Sequence, residues 1–134
     1  MAGVKIIAAA AVLLLQSAAS HAEGDAQRGQ QLYQQLCAAC HSPDYNGVGP
    51  AHRGVFGARA ATARGYSYST ALAASKLRWD AQNLDRWLAG PEALVPGQKM
   101  GVSVPGAQDR ADLIAYLATL SVPANAANAL RPRE

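Results

Sequence analysis

Large apolar side chains are scarce in this chain: its 134 residues include one Phe, two Trp and five Tyr, while alanine dominates. A domain near this size buries only about two-thirds of its unfolded surface. A core built mainly of alanine is therefore thin, and a large buried cofactor would fill it. Cysteine is equally sparse. Cys37 and Cys40 are the only two, so no second C-x-x-C completes a four-thiolate metal site. Basic residues are few and scattered, which excludes the clustered footprint of a nucleic-acid binder. No strand pattern, internal repeat or second domain is visible. The longest apolar run, Ile6 to Leu15, is well short of the ~20 residues a membrane-spanning helix needs.

That run has another use. Met1 to Lys5 forms a short positive segment before it, and Ser20-His21-Ala22 places small residues where a signal peptidase reads. The sequence therefore predicts a cleaved secretory signal over 1–22, a single domain over 23–120 and a flexible tail over 121–134. Export leads to the periplasm, with no membrane span after cleavage. Losing Lys5 leaves eleven Lys and Arg against nine Asp and Glu, a formal +2.

Cys37-Ala38-Ala39-Cys40-His41 carries the chemistry. Two thiols one helical turn apart can add across the two vinyl groups of one porphyrin, and the next residue then lies where an imidazole reaches the iron. C-x-x-C-H is the attachment signal for a c-type haem. A bare C-x-x-C also occurs as a redox dithiol, half of a zinc site or a local disulfide. A thioredoxin-like motif belongs beside a βαβ pattern, which is absent. His41 and His52 are too far apart in sequence for a Cys₂His₂ zinc module.

The rest reads as helices joined by long loops. Asp25 caps a helix running through Leu32, Tyr33 and Leu36 into the cysteines. Ser42 to Tyr68 is punctuated by Pro43, Asn46-Gly47, Gly49-Pro50, Gly54, Gly57 and Gly65. Ser69 starts a short helix over 71–75. Asp80 caps another with Leu84, Trp87 and Leu88 on one face, and Gly90 ends it as a C′ glycine. A loop from Pro91 to Gly106 leads to a last helix over 108–120, with Leu113, Ile114, Tyr116, Leu117 and Leu120 as its apolar stripe.

Gly24-Asp25, Gly29, Tyr33, C-A-A-C-H, Gly49-Pro50, Tyr66-Ser67-Tyr68, Trp79, V-P-G-Q-K-M over 95–100 and R-A-D-L-I-A-Y-L over 110–117 together resemble a class I c-type cytochrome of the mitochondrial-like branch. That resemblance implies an all-α fold, with crossed N- and C-terminal helices plus shorter helices and long loops around one covalently attached haem c. It makes His41 and Met100 the two iron ligands, with Cys37 and Cys40 as thioethers. Met100 is the only methionine beyond Met1. It sits in what the sequence presents as an exposed, glycine-flanked loop, a poor place for core filler. His52 is the competing ligand. Pro50 is implied to hold the His41 ring through its carbonyl, and Tyr68 and Trp79 to bond a haem propionate. Arg59 is one position off the family pattern for the other propionate. Trp87 stands where the family usually has a tyrosine, and Gly29, Tyr33, Leu113 and Tyr116 fit the helix crossing.

The implied function is a monomeric single-haem electron carrier, not an enzyme, with no catalytic residues. Its implied donor is a quinol–cytochrome c reductase, and its acceptor a terminal oxidase, photosynthetic reaction centre or periplasmic oxidoreductase. The alternative is a haem subunit of a periplasmic dehydrogenase. An open-iron peroxidase is disfavoured by Met100. The lysine ring of mitochondrial-type carriers is missing: beyond Lys5 only Lys76 and Lys99 remain. Leu36 and Val102 stand where a lysine and an aromatic are common.

Overall fold

Short polar side chains start three of the five helices. In the computed structural model, which describes residues 23–121, Asp25 accepts hydrogen bonds from the Gln27 and Arg28 amides and begins α1, Ala26–Leu36. Ser69 Oγ takes the Leu72 amide at 3.1 Å and begins α2, Thr70–Ala74. Asp80 takes the Asn83 amide at 2.8 Å and begins α3, Ala81–Ala89. Each cap satisfies an amide that the first turn leaves without a helical partner. The last long helix, Ala107–Thr119, begins at Gly106 without a side-chain cap.

Between them lies a turn of helix the sequence reading treated as loop. Pro91 occupies the first position of α4, Pro91–Leu94, where a missing N–H costs nothing. This also corrects the reading of Gly90 as a C′ glycine. Its φ of −172° is extended, so it serves as C-cap of α3 and N-cap of α4 at once. The last long helix is accordingly α5. The signal segment expected over 1–22 lies outside the described residues, as does the tail beyond 121. No helix among the described residues is long and apolar enough to cross a membrane, and none of them forms a named strand; Arg59 and Arg78 make one isolated bridge.

The α1–α5 crossing organises the fold. α1 buries Gly29 and Tyr33, and α5 buries Asp112, Leu113, Tyr116 and Leu117, each set on one face at helical spacing. A Cβ on Gly29 would lie 1.9 Å from the Asp112 carbonyl oxygen, so only glycine lets the two backbones touch. Asp112, 1% exposed, accepts from the Asp25 amide at 2.7 Å, from Gln108 at 2.8 Å and from Arg28. Arg28 also pairs with Asp109 at 2.5 Å. On the other side of α5, Arg110 pairs with Asp85 of α3 at 2.7 Å. Ala60, Trp79, Leu84, Trp87, Leu88, Val95, Val104 and Leu120 complete the buried apolar set. Trp79, Leu84, Trp87, Leu88 and Val104 are among the residues that line a cavity of about 480 Å³. The cavity lies where the composition anticipates a thin core.

Candidate functional site

α1 delivers the cysteines to this cavity. Cys37 caps its C-terminus, donating its amide to Tyr33 O at 2.9 Å, and the chain then turns tightly, with Cys40 N and His41 N both donating to Cys37 O at 3.0 and 2.9 Å. Both thiols are free and both line the cavity. Burial, and then the neighbouring Cys40, push the Cys37 thiol up to about 11.

The following loop fixes His41. The Gly49 amide donates to Cys40 O at 2.8 Å, folding residues 47–50 back over the motif. A Cβ on Gly49 would fall 2.2 Å from His41 Cε1, so a side chain there is excluded by the imidazole itself. His41 Nδ1 lies 2.8 Å from the Pro50 carbonyl oxygen. A carbonyl only accepts, so Nδ1 carries the proton and Nε2 keeps its lone pair for a metal. Desolvation lowers the His41 pKa, opposed by the Pro50 hydrogen bond. The ring is neutral, with Nε2 free to donate to a metal.

Met100 enters from the opposite part of the chain. Gly97, at φ +88°, turns the segment back after α4, and Glu92 takes the Gly97 amide at 2.9 Å. Lys99 Nζ donates to Ser67 O at 3.1 Å, the Met100 amide bonds Gln98 Oε1, and Val104 N donates to Leu88 O at 2.7 Å. The loop around Met100 is exposed at Gly97, Lys99, Gly101 and Val102, as the sequence predicts. Met100 is half-buried against the core and lines the cavity, because the loop is pinned at both ends to α3 and α4.

The structure thus gathers Cys37, Cys40, His41, Pro50, Tyr68, Trp79 and Met100 around one cavity. Trp79 is buried and meets Trp87 edge-on at 5.2 Å. The Tyr68 hydroxyl accepts the Ala63 amide at 3.0 Å, and burial raises its pKa. Arg59 lies on the same wall. His52 stands apart from its expected role. Its ring stacks on that of His41, centroids 4.0 Å apart and 20° between planes, and its Nδ1 shares a 3.0 Å hydrogen bond with Tyr33 Oη. Imidazole lone pairs lie in the ring plane, so two rings stacked face to face cannot both aim at one iron between them. Burial, and then His41, bring the His52 pKa down to about 3, so it is neutral.

Sequence reasoning found neither Gly49 as the residue on which His41 rests nor the stacking of His52. The Gly49-Pro50 pair was the available signal for the first. Nothing local marks the second, because His52 meets His41 only through the fold.

The cavity suits a large planar group: two free thiols at one edge, a neutral imidazole with Nε2 uncommitted, a thioether in a pinned loop, and walls of Trp, Leu and Val. Known proteins agree. Residues 26–121 match the family model for cytochrome c. Cytochrome c2 of Rhodomicrobium vannielii is 43% identical over 117 residues, covering 84% of this chain and 93% of that protein. The cytochrome c-type cyt cy of Rhodobacter capsulatus is 46% identical over 99 residues, or 72% of this chain, which spans half of that longer protein. The structure of cytochrome cH from Methylobacterium extorquens superposes with a TM-score of 0.69 at 45% identity, covering 72% of this chain and 99% of its own. Sequence, fold and cavity converge: the chain belongs to the cytochrome c family, as a class I electron carrier with one covalently bound haem c that passes electrons between redox complexes.

Proposed function

We propose that the mature protein works in the periplasm, taking single electrons from a quinol–cytochrome c reductase. It delivers them to a terminal oxidase, photosynthetic reaction centre or periplasmic oxidoreductase. When bound, haem c supplies a one-electron Fe(II)/Fe(III) couple. The chain does the rest. Cys37 and Cys40 would hold the macrocycle by thioethers, His41 Nε2 and the Met100 sulfur are the groups that would hold the iron, and the apolar walls would keep water away. Because His41 is held by Pro50 and the Met100 loop is pinned by Glu92 and Ser67, these side chains would have little to rearrange when the charge changes. Thioether opposite imidazole raises the reduction potential.

The observation that carries this reading is the convergence of His41, with Nδ1 committed to Pro50, and Met100, the one methionine of the described residues, on a single apolar cavity. The stacking of His52 on His41 supports Met100 over His52 as the second ligand. In the oxidised protein a weak far-red charge-transfer band is expected from sulfur-to-iron bonding. Met100→Ala should abolish it, and Met100→His should lower the potential sharply by exchanging a soft acceptor for a stronger donor. A band that persists in Met100→Ala would assign the ligand elsewhere.

A further inference from the structure

We propose that His52, tethered by Tyr33, is a positioning residue that fixes the plane of the His41 imidazole and through it tunes the iron couple. This rests on His41 being the iron ligand of the preceding section. The Pro50 carbonyl holds His41 at one in-plane atom, Nδ1. Gly49 also lies against the ring, but with no side chain to grip it, so the tilt of the ring needs a further support. The His52 ring covers its face, at 4.0 Å and 20° from parallel, and supplies it.

The support behind His52 is rigid. Tyr33 is 1% exposed, its hydroxyl reaches His52 Nδ1 at 3.0 Å, and its ring packs edge-on against both His52 at 5.6 Å and Tyr116 at 5.2 Å. A continuous chain of contacts therefore runs from the α1–α5 crossing to the ligand. An aliphatic side chain would fill this space without the cost of desolvating an imidazole. The polar ring is retained with a dedicated hydrogen-bond partner, as expected where ring orientation matters.

The electronic consequence has a sign. Loss of an electron from the iron places more positive charge on the His41 ring, and the face of a neutral aromatic ring attracts positive charge. His52 therefore favours the oxidised state, and removing it raises the potential.

The test uses the full-length haem-loaded protein with His52→Leu, His52→Phe and Tyr33→Phe. Two readings are taken: the hyperfine-shifted haem-methyl pattern in the ferric proton spectrum, which reports the axial imidazole plane, and an equilibrium redox titration. His52→Leu should rearrange the methyl pattern and raise the potential. His52→Phe, which keeps a stacked ring, should bring both back toward wild type, and Tyr33→Phe should shift the pattern in the direction of His52→Leu by less. A wild-type pattern and potential in His52→Leu overturns the proposal, as does a His52→Phe protein no closer to wild type than His52→Leu. Should His52→Leu fail to assemble, Tyr33→Phe decides alone, an unchanged pattern overturning the tether. His41→Ala separates the two readings. A low-spin ferric spectrum that survives it removes His41 as ligand, whereas an unresponsive His52→Leu in protein that still needs His41 removes only the positioning role.

Discussion

Cys37 and Cys40 are within one turn of each other because Cys37 is the C-cap of α1 and its carbonyl receives both the Cys40 and His41 amides. The backbone, not the side chains, sets the spacing of the two thiols. Each cysteine would then supply one thioether. Wild-type protein should stay red after acid–acetone extraction and carry one haem mass. Cys37→Ala and Cys40→Ala should each cut the yield of haem-loaded protein by at least tenfold. Pigment that extracts freely from the wild type would contradict covalent attachment. At this scale the sequence was informative where chemistry is local. C-A-A-C-H declares its ligand spacing in five residues, and the Gly49-Pro50 and P-G-Q-K-M segments resemble known loops closely enough to carry Pro50 and Met100 to the same cavity. It was silent where chemistry depends on distant packing. His52 was legible only as a rival ligand, because its stacking on His41 depends on the position of Tyr33, which the α1–α5 crossing decides.

The helices were legible for a different reason: their signals are short-range. Asp25, Ser69 and Asp80 each cap the helix they were expected to start. α4 was missed because a four-residue helix has no periodicity to detect, and Gly90 proves to be the shared cap of α3 and α4 rather than a residue beyond the helix end. The Gly29 contact is the tightest between elements. Gly29→Ala would drive a methyl into the Asp112 carbonyl at 1.9 Å, backbone against backbone, where nothing can rotate away. Overpacking of this kind costs about 1–3 kcal/mol or more. Urea titration should show a clearly lower midpoint with little change in slope, and a stability within 0.5 kcal/mol of wild type, roughly the noise of a surface change, would mean that the helices separate freely. Asp112 adds a pH dependence to the same crossing. Burial alone would raise its pKa, but the Asp25 amide, Gln108 and Arg28 outweigh burial and hold it below the ordinary carboxylate value. A depressed folded-state pKa means stability that is complete above the unfolded carboxylate range and is lost as pH falls through the folded value. Asp112→Asn should weaken the fold at neutral pH and flatten the acid limb of its stability curve. An acid limb identical to wild type would show that other carboxylates carry it.

Charge and apolar surface across the whole molecule decide how the carrier meets its partners. The full sequence carries a formal +3, of which Lys5 belongs to the segment expected to be removed, and two ionised haem propionates would cancel the remaining +2. Scattered arginines are the alternative source of steering charge, but Arg28 is paired with Asp109 and Asp112, and Arg53 with Asp44 at 2.5 Å. Those carboxylates offset the charge of Arg28 and Arg53, whereas Arg59, Arg64, Arg78 and Arg86 form no salt bridge among the described residues and lie scattered over the surface rather than in one ring. The cavity mouth is instead flanked by Leu36, Val48 and Val102, which are 42%, 76% and 43% exposed. A face of this kind associates by excluding water, which salt does not screen. Charge steering, where present, raises association rates by about 10–10³-fold and collapses once ionic strength brings the Debye length to about 8 Å. The rate of electron transfer with a purified reductase or oxidase is therefore expected to fall less than tenfold between low and high salt. Val48→Asp, which puts a charge on the most exposed of the three, should slow the reaction at every salt concentration. A fall of two or more orders of magnitude across the salt range for the wild type would instead mean that unpaired cations such as a repositioned Arg86 or Lys76 guide the encounter, and that the apolar rim is secondary.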